Sequence, residues 1–301
     1  MRLVMNVDPM YYTDLSWEET ATMVNQSGFT GTDFGLFEMK DIQSRWYEPD
    51  WQDKANQLLK TFASAGTPIV QTHAPFSFPD IKTVDTYLEQ VKPLVIHSIE
   101  VSAALGAGYV IVHPIHCIPY KTNVEELFRI NMDYYRDLIP VAKSNGIRIA
   151  MENMFQRDKL RGRRIIHSTC SSIAEFCRYL DTLDSEYVVG CLDIGHTVLP
   201  MDNPEPWEFI RQLGPERIKT LHVHDNDLLD DRHLIPFSGQ IDWYEVTKAL
   251  GQINYSGDFV LECILKSNTA KLKPAMYPAL LAYMGKIGHH LIDNVEANRP
   301  E

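Results

Sequence analysis

The sequence predicts an α/β fold, a single (β/α)8 barrel that takes in residues 1–301 as one domain. Three observations predict it. Short apolar segments alternate with segments of helical character along the whole chain, at intervals of roughly 30 to 45 residues, as expected for parallel strands joined by crossover helices. Eight such strand segments occur, the number that closes a barrel, and 301 residues is an ordinary length for one. Six of the eight segments end in His, Asp or Glu.

The predicted strands are short apolar runs, and most of them are followed by a helix signal. Ser16 with Glu19, and Ser172 with Glu175, have the spacing of a capping box, which marks the start of a helix. The eight predicted strands comprise residues 2–7, 29–36, 69–73, 109–113, 147–152, 187–193, 218–224 and 257–262.

One predicted helix contains a proline. In residues 84–99 the apolar side chains recur at steps of three and four, which is the helix period. Pro93 within this run predicts a kink, or a helix that restarts there. Further helices are predicted to begin at residues 16, 172 and 242 and to span residues 51–65, 123–144, 206–213 and 274–292.

Composition and net charge limit the partners and the cellular location that we expect for this protein. A hydrophobic content of 45% and a charged content of 23% are ordinary for a globular protein. The net charge of −12, from 28 basic and 40 acidic residues, is unsuited to holding a phosphate backbone, so we expect no nucleic-acid partner. The first residues form no long apolar run, so we expect no membrane segment and a cytoplasmic location. The five cysteines form no CxxC pair and are interpreted as reduced thiols.

The densest polar segment is residues 221–242. A short apolar strand carries His222 and His224 at i, i+2, so both point to the same side of a sheet. Four acidic side chains and a third histidine follow within nine residues. Imidazole and carboxylate are the usual ligands of divalent cations, so the segment predicts a metal site. A polar surface loop after a strand is the alternative.

The other strand ends strengthen this prediction. In a barrel the carboxyl ends of the strands converge on one face, which holds the active site. Carboxylates and imidazoles packed there would lose hydration and repel one another, and a bound divalent cation removes that cost. Zn, Mn, Co, Fe and Mg all accept such a mixture of ligands. The polar residues at or just after the predicted strand ends are His73, His113, Glu152, Asp193, His196, His224 and Glu262.

The order and spacing of several short motifs resemble the xylose isomerase-like TIM barrels. These include sugar and sugar-phosphate isomerases and epimerases, and the type IV AP endonucleases. The resemblance covers nearly the whole chain. Its carriers are Thr72-His-Ala-Pro75, Val112-His-Pro114, Met151-Glu-Asn153, Cys191-Leu-Asp-Ile-Gly-His196, His222-Val-His-Asp-Asn-Asp227, Asp231-Arg-His233 and Leu261-Glu262.

The resemblance implies a set of metal ligands. The four-ligand site of the ketose epimerases corresponds here to Glu152, Asp193, His224 and Glu262. His222 competes with His224 for the third place. In the family the ligand precedes an acid by three residues at the outer end of the strand, which favours His224 with Asp227 and leaves His222 as a neighbouring or substrate-facing group.

The same resemblance implies further ligands. Type IV AP endonucleases build a site for three zinc ions, and their additional ligands have counterparts in this chain. The divalent cations are therefore expected to number one, or two or three, per chain, and the extra residues have binding of sugar hydroxyls as an alternative role. These residues are His73, His113, His196, Asp231 and His233.

Two enzymatic functions compete. We expect a metal-dependent isomerase or epimerase of a sugar or sugar phosphate, in which Glu152 and Glu262 are acid and base and His196 holds a substrate oxygen. The alternative is a metal-dependent phosphodiesterase resembling the type IV AP endonucleases, which the additional ligands favour and the acidic net charge opposes. A ligand-binding barrel without catalytic activity is a third hypothesis, which the intact pair of acids opposes.

A basic loop follows the fifth predicted strand. Residues 156–164 contain five basic side chains on the active-site side of the barrel. Arg161, Arg163 and Arg164 are candidates to bind a phosphate or carboxylate of the substrate, because guanidinium groups make bidentate contacts with such anions. The alternative is a solvated loop without a ligand. The sequence leaves the oligomeric state open, with a homo-oligomer among the outcomes.

Overall fold

The computed structural model describes residues 1–158, 162–263 and 274–300. Within these residues eight parallel strands form a barrel, as predicted, and two further strands form a hairpin. The hairpin strands are β6 and β7. In chain order the strands are β1 Leu3–Asn6, β2 Gly31–Gly35, β3 Ile69–His73, β4 Tyr109–Val112, β5 Arg148–Glu152, β6 Phe155–Asp158, β7 Arg164–His167, β8 Val188–Asp193, β9 Ile218–His222 and β10 Phe259–Leu261.

The barrel strands pair in the order β10-β1-β2-β3-β4-β5-β8-β9. The two end strands meet beyond β9: the backbone N–H of Val223 donates to Val260 (2.8 Å), and that of Glu262 donates to Val223 (3.1 Å). Val223 and Leu261 thereby form a parallel bridge that joins β9 to β10. Since every pair of barrel strands is parallel, all the carboxyl ends lie at one end of the barrel.

Helices cover the outside of the barrel. The run around Pro93 restarts, as predicted: a short helix and a π-helical turn (Tyr87–Val91) precede a helix whose first turn contains the proline, where its missing N–H is harmless. The helices are α1 Trp17–Gln26, α2 Trp51–Ser64, α3 Val84–Thr86, α4 Lys92–Ala104, α5 Val124–Asn145, α6 Ile173–Leu183, α7 Ile194–Thr197, α8 Pro206–Arg217, α9 Trp243–Gln252 and α10 Tyr277–Ala297.

The two predicted capping boxes differ in the structure. Ser16 accepts from the backbone N–H of Glu19 (3.2 Å) and donates its own N–H to the Glu19 carboxylate (2.8 Å), so this box is complete. At α6 only half of the box forms. Ser172 accepts from the Glu175 N–H, but the Glu175 carboxylate binds the backbone N–H of Cys170 instead. The Glu175 carboxylate thus satisfies the buried N–H of Cys170 and does not complete the capping box.

The inside of the barrel is partly polar. Asn6 on β1 donates to Asp33 on β2 (2.9 Å), and both side chains are buried. Gln71 on β3 meets Thr220 on β9, across the barrel. Buried polar groups are costly unless they are hydrogen-bonded, and barrel interiors are usually filled by branched apolar side chains. The polar layer lies immediately below the carboxyl ends of the strands, where it contacts the site.

Most of the hydrophobic core lies between the strands and the helices. Among the described residues no helix is both long enough and apolar enough to cross a membrane. The five cysteines are free thiols.

Candidate metal centre

Ten ionisable side chains converge at the carboxyl end of the barrel. They fall into three groups, and within each group every residue offers one ligand atom within 4.8 Å of the others. All ten metal-ligand candidates from the sequence are therefore brought together. Group A is His73, His113 and Glu152; group B is Glu152, Asp193, His222 and Glu262; group C is His196, His224, Asp231 and His233.

Group B lies on four consecutive strands of the barrel. Glu152 ends β5, Asp193 ends β8, His222 ends β9, and Glu262 directly follows β10. The Nδ1 atom of His222 is 3.0 Å from Glu152 Oε1, 3.3 Å from Glu262 Oε2 and 3.9 Å from Asp193 Oδ2. The imidazole is thus surrounded by three carboxylates. The entire group is buried, with the largest exposure, 7%, at Glu262.

The grouping of His222 differs from the preferred ligand set of the sequence analysis. We expected His224 beside Glu152 and Glu262, but the structure places His222 there and assigns His224 to group C. The two histidines point to the same side, and His224 lies one residue beyond the Val223 bridge. Its Nε2 still reaches the Asp193 carboxylate (3.1 Å). The geometry therefore favours His222 as the partner of the two glutamates.

Group A shares the Glu152 carboxylate with group B. Glu152 Oε2 is 2.8 Å from Nε2 of His113 and 3.5 Å from Nε2 of His73. The two histidine rings meet edge to face with centroids 4.8 Å apart. The half-buried ring of Phe76 lies 4.7 Å from each of them. Group A thus has one apolar wall, which limits the approach of water.

Group C is built mainly by the loop that follows β9, and α7 adds His196. His233 Nε2 is 3.0 Å from Asp231, and His196 Nε2 is 3.8 Å from the same carboxylate. The rings of His224 and His233 are stacked with centroids 3.9 Å apart. Asp231 is the most accessible carboxylate of the three groups, with a side-chain exposure of 19%. Group C therefore lies at the mouth of the site.

A buried carboxylate that is not in any group anchors this loop. Asp225 accepts hydrogen bonds from the backbone N–H groups of Asn226, Gly239 and Ile241 and from the indole of Trp243. Each bond is between 2.9 and 3.1 Å long. The carboxylate thereby ties both ends of the loop to one point, and the loop presents Asp231 and His233 between them.

Three histidines are oriented by backbone carbonyls. The Nδ1 atoms of His73, His196 and His233 lie 2.8, 2.9 and 3.0 Å from the oxygens of Ala74, Asn153 and Glu262. A carbonyl oxygen can only accept, so each Nδ1 carries the proton and the Nε2 atom is left facing the site. A neutral imidazole so held presents an Nε2 lone pair, the arrangement found at metal-bound histidines.

The carboxylates of the site have unequal pKa values. Burial opposes the ionisation of Glu152, but His222 and His113 outweigh it and hold the pKa of Glu152 well below its usual range. Burial likewise opposes ionisation of Asp231, and hydrogen bonds from His196 and His233 more than offset this and lower its pKa. For Glu262 burial prevails, and its pKa is raised.

The histidines also differ from one another. Burial disfavours the charged ring of His233, but Glu262 and Asp231 outweigh it and raise the pKa of His233 to about 9. The pKa of His222 is raised well above its usual value against the same effect of burial, chiefly by Glu262 and Glu152. At His113 burial prevails and lowers the pKa to about 4. Protons on the histidines thus supply the positive charge that the carboxylates require.

The residues fit a divalent cation. Among the described residues, Glu262 Oε2, Asp231 Oδ1 and His224 Nδ1 are buried ligand atoms without a hydrogen-bond partner. Buried polar atoms are rarely left unpaired, and such atoms in a cluster of carboxylates and imidazoles match the needs of a metal ion. One or more divalent cations would satisfy these atoms and replace the protons on the histidines.

The sequence pattern that defines the family described as xylose isomerase-like TIM barrel matches residues 22–284. The chain belongs to this family. The resemblance noted in the sequence is thereby confirmed, as is the (β/α)8 fold.

A curated protein is also similar in sequence to this member of the xylose isomerase-like family. The uncharacterized protein MJ1311 of Methanocaldococcus jannaschii is 30% identical over 200 residues, which cover 64% of this chain and 64% of that protein. The chain thus spans just under two thirds of the length of that relative.

Two solved structures share the fold. A D-psicose 3-epimerase, crystallised in the presence of D-fructose, superimposes with a TM-score of 0.72 at 14% identity, over 97% of this chain and 99% of that chain. The IOLI protein with a bound zinc atom gives a TM-score of 0.71 at 18% identity, over 100% of both chains. At such identities the likeness shows the fold alone.

The described residues of the predicted anion-binding loop of this family member lie on or beside β6 and β7, which pair antiparallel. Arg161 lies outside the described residues. Arg163 and Arg164 are exposed, and Arg164 contacts the sulfur of Met201 (3.7 Å). The structure therefore does not bring these two arginines into groups A, B or C. A different basic residue, Arg157, forms an ion pair with Asp230 on the loop after β9.

Sequence reasoning missed two residues beside the site. Gln71 contacts His222 (3.1 Å) and precedes His73 by two residues, so the strand period was a signal that its side chain points into the barrel. His116 follows His113 by three residues, and the two rings lie 6.2 Å apart. Its Nδ1 donates to the oxygen of Pro114 (2.9 Å). A histidine in a loop after a strand gave no comparable signal.

Proposed function

We propose that this protein is a metal-dependent isomerase or epimerase that acts on a sugar or sugar phosphate. The observation that carries the proposal is the arrangement of group B. Glu152 and Glu262 come from the two ends of an arc of four strands, and Asp193 and His222 lie between them. Two carboxylates that reach one pocket from different sides suit removal of a proton from one face of a substrate and its return to another.

Group B would hold one divalent cation, Zn, Mn, Co, Fe or Mg, through its three carboxylates and His222. When bound there, such a cation polarises the substrate carbonyl and stabilises the negative charge that develops on proton removal. Groups A and C offer places for a second and a third cation. Six further side chains would hold these ions or contact substrate hydroxyls: His73, His113, His196, His224, Asp231 and His233.

The proton transfers are assigned to side chains of the site. Glu262 is the proposed proton donor, because burial raises its pKa and so favours the protonated carboxyl. Glu152 is the proposed proton acceptor on the opposite side, because His222 and His113 outweigh burial, hold its pKa well below its usual range and keep it ionised. His196 is oriented by the Asn153 carbonyl and presents Nε2 to a substrate oxygen.

Aromatic rings restrict water at this site. Phe37 and Phe76 pack on His73, and Phe155 packs on His196 with centroids 5.0 Å apart. These rings are partly accessible and form apolar walls, the surfaces on which the C–H face of a sugar packs. The fold shared with a D-psicose 3-epimerase agrees with a sugar substrate.

The first experiment is elemental analysis of protein purified without added metal. The proposal expects about one tightly bound equivalent of a divalent metal per chain. The second experiment incubates the metal-loaded protein in D2O with a panel of ketoses, aldoses and their phosphates, and follows deuterium at the carbon next to the carbonyl by NMR. Exchange is expected with at least one substrate and is expected to be lost in Glu152→Gln and Glu262→Gln.

The control is Glu126→Gln, which removes an exposed carboxylate on α5. It is expected to leave the exchange unchanged. Exchange that persists in both the Glu152 and the Glu262 variant would remove these residues from the proton-transfer roles. A complete lack of exchange across the panel, with metal bound, would contradict the isomerase or epimerase proposal.

A second candidate function is metal-dependent hydrolysis of a phosphodiester. It is favoured by the three adjacent groups, two of which share Glu152, since clustered cations activate water and stabilise the leaving oxygen. The net charge of −12 opposes a long nucleic-acid substrate. Two or three equivalents of zinc per chain, together with cleavage of an abasic oligonucleotide or of bis(p-nitrophenyl) phosphate, would favour this function over the first.

A further inference from the structure

A buried polar pair lies below group B. Gln71 on β3 and Thr220 on β9 face each other across the barrel, and each is 1% exposed. Two uncharged polar side chains in the barrel interior are costly to bury unless all their hydrogen bonds are made. Their partners therefore indicate what they are for.

The hydrogen bonds of this pair lead to the imidazole of His222. The Thr220 hydroxyl donates to Gln71 Oε1, and Gln71 Nε2 lies 3.1 Å from His222 Nε2. The other ring nitrogen, Nδ1, faces the carboxylates of group B, with Glu152 Oε1 at 3.0 Å. His222 itself is 0% exposed, so no water competes for either nitrogen. One nitrogen thus meets the metal site and the other meets the amide.

The orientation of the amide determines which nitrogen carries the proton. With its NH2 group towards His222, as in this structure, Gln71 donates, so Nε2 accepts and Nδ1 carries the proton that it shares with Glu152. With the amide reversed, Gln71 Oε1 accepts a proton from Nε2, and its NH2 group donates to the Thr220 hydroxyl oxygen. In that state Nδ1 presents a lone pair to group B.

Both orientations of the amide keep one hydrogen bond to His222 Nε2 and one to the Thr220 hydroxyl. An amide exchanges donor for acceptor by a half turn, and a hydroxyl does so by rotating its proton. A leucine at position 71 offers neither a donor nor an acceptor, and a carboxylate only accepts. The amide–hydroxyl pair is therefore suited to hold the Nε2 atom of His222 whether that atom donates or accepts.

We propose that Gln71 and Thr220 are positioning residues that hold the ring of His222 by its Nε2 atom, so that Nδ1 faces group B as a metal ligand. When a cation displaces the proton on Nδ1, Nε2–H stays bonded to the amide oxygen of Gln71. Partners of this kind orient ligating histidines and contribute to metal affinity. The inference rests on the metal site of the proposed function but not on its reaction.

The test measures metal affinity by calorimetric titration of the metal-free protein with Zn²⁺ and Mn²⁺. Gln71→Leu is expected to weaken the tightest binding by about 10- to 100-fold, the usual effect of removing such a partner. Gln71→Glu is expected to stay within about tenfold of the wild type, because its carboxylate accepts the Nε2 proton. Thr220→Val is expected to weaken binding, and Thr220→Ser to restore it.

The matched control is Thr72→Val. Thr72 is a buried neighbour on β3 whose hydroxyl donates to Ser102, on the helix side of the strand. This variant loses a buried hydrogen bond without touching His222, so its stability falls while its metal affinity is expected to stay unchanged. The comparison separates a role in positioning from general damage to the barrel.

A second readout is the tautomer of His222, from the nitrogen chemical shifts of 15N-labelled protein. The wild type is expected to lose the Nδ1 proton when metal binds and to keep Nε2–H. Equal metal affinity of Gln71→Leu and wild type, or equal losses in Gln71→Leu and Gln71→Glu, would overturn the inference. A wild type that binds no metal would instead contradict the proposed function, on which the inference depends.

Discussion

His233 donates its Nδ1–H to the backbone oxygen of Glu262 at 3.0 Å. This bond joins group C to group B, because His233 belongs to the loop after β9 and Glu262 to the end of β10. The loop on which Asp231 and His233 lie is therefore fixed against the strand that supplies a glutamate to the other group. Since groups A and B share Glu152, the three groups form one continuous site.

The shared carboxylate makes metal content a sensitive test of the site. Glu152→Ala removes a ligand from groups A and B together, whereas Asp231→Ala removes one from group C alone. We expect Glu152→Ala to lower the metal content per chain further than Asp231→Ala does. Elemental analysis of protein purified without added metal measures both. Equal metal content in the two variants would show that Glu152 is not shared between bound ions.

The anchor of the loop after β9 is expected to be essential for stability. Asp225→Ala leaves four N–H donors without a partner, three of them on buried residues, so the free energy of unfolding should fall by about 2–4 kcal/mol. Urea unfolding followed by circular dichroism measures it. Asp227→Ala is the control: this carboxylate pairs with exposed Arg232 on the same loop, and its loss should cost about 1 kcal/mol or less. Similar losses in both variants would contradict the anchoring role.

The position of the His224 ring depends on the absence of a side chain at Gly195. A Cβ atom at Gly195 would lie 2.0 Å from Cε1 of His224, so Gly195→Ala must displace the ring from Asp193. We expect a loss of stability of about 1–3 kcal/mol and a lower metal content, since overpacking displaces neighbouring groups. The thermal unfolding midpoint and elemental analysis measure the two effects.

Gly108→Ala is the matched control for that substitution. Its Cβ atom would meet nothing closer than the oxygen of Val70, at an ordinary contact distance of 3.7 Å. The control should retain the metal content and the unfolding midpoint of the wild type. A Gly195→Ala variant that does the same would mean that His224 has room to move without consequence.

The raised pKa of Asp8 predicts a pH dependence of stability. Burial and the neighbouring Asp33 raise the pKa of Asp8 from 3.8 to about 7. Between about pH 4 and pH 7 the folded protein therefore binds a proton at Asp8 that the unfolded chain has released. Stability contributed by this group is present at low pH and is lost as the pH rises through 7.

Asp8→Asn removes the ionisable group, so the variant should gain about 1–3 kcal/mol relative to the wild type above pH 7 and show a smaller fall in stability between pH 4 and pH 7. Urea unfolding at a series of pH values measures both effects. Asp14→Asn, which removes an exposed carboxylate nearby, controls for the change in net charge. An unchanged slope in Asp8→Asn would show that Asp8 titrates alike in the folded and unfolded chains.

Much of the fold was predictable because its signals are local. The apolar runs predicted all eight barrel strands, and Pro93 predicted the restart of a helix. The hairpin β6–β7 was not predicted, since a basic segment without apolar alternation gave no strand signal. The incomplete capping box at Ser172 was also unforeseen, because the competing N–H of Cys170 comes from the chain before the box.

The sequence was sufficient to predict that the side chains of groups A, B and C would meet. The carboxyl ends of parallel barrel strands converge, which brings together the candidates at or just after strand ends, and the family resemblance added Asp231 and His233 from the loop after β9. Their division into three groups was decided only by the tertiary structure. His222 and His224 share a face by the two-residue period of a strand, and that period cannot tell which one is level with Glu152. The stagger of the strands and the bridge between Val223 and Leu261 decide which histidine is level with Glu152, because they fix how far each strand extends along the barrel axis.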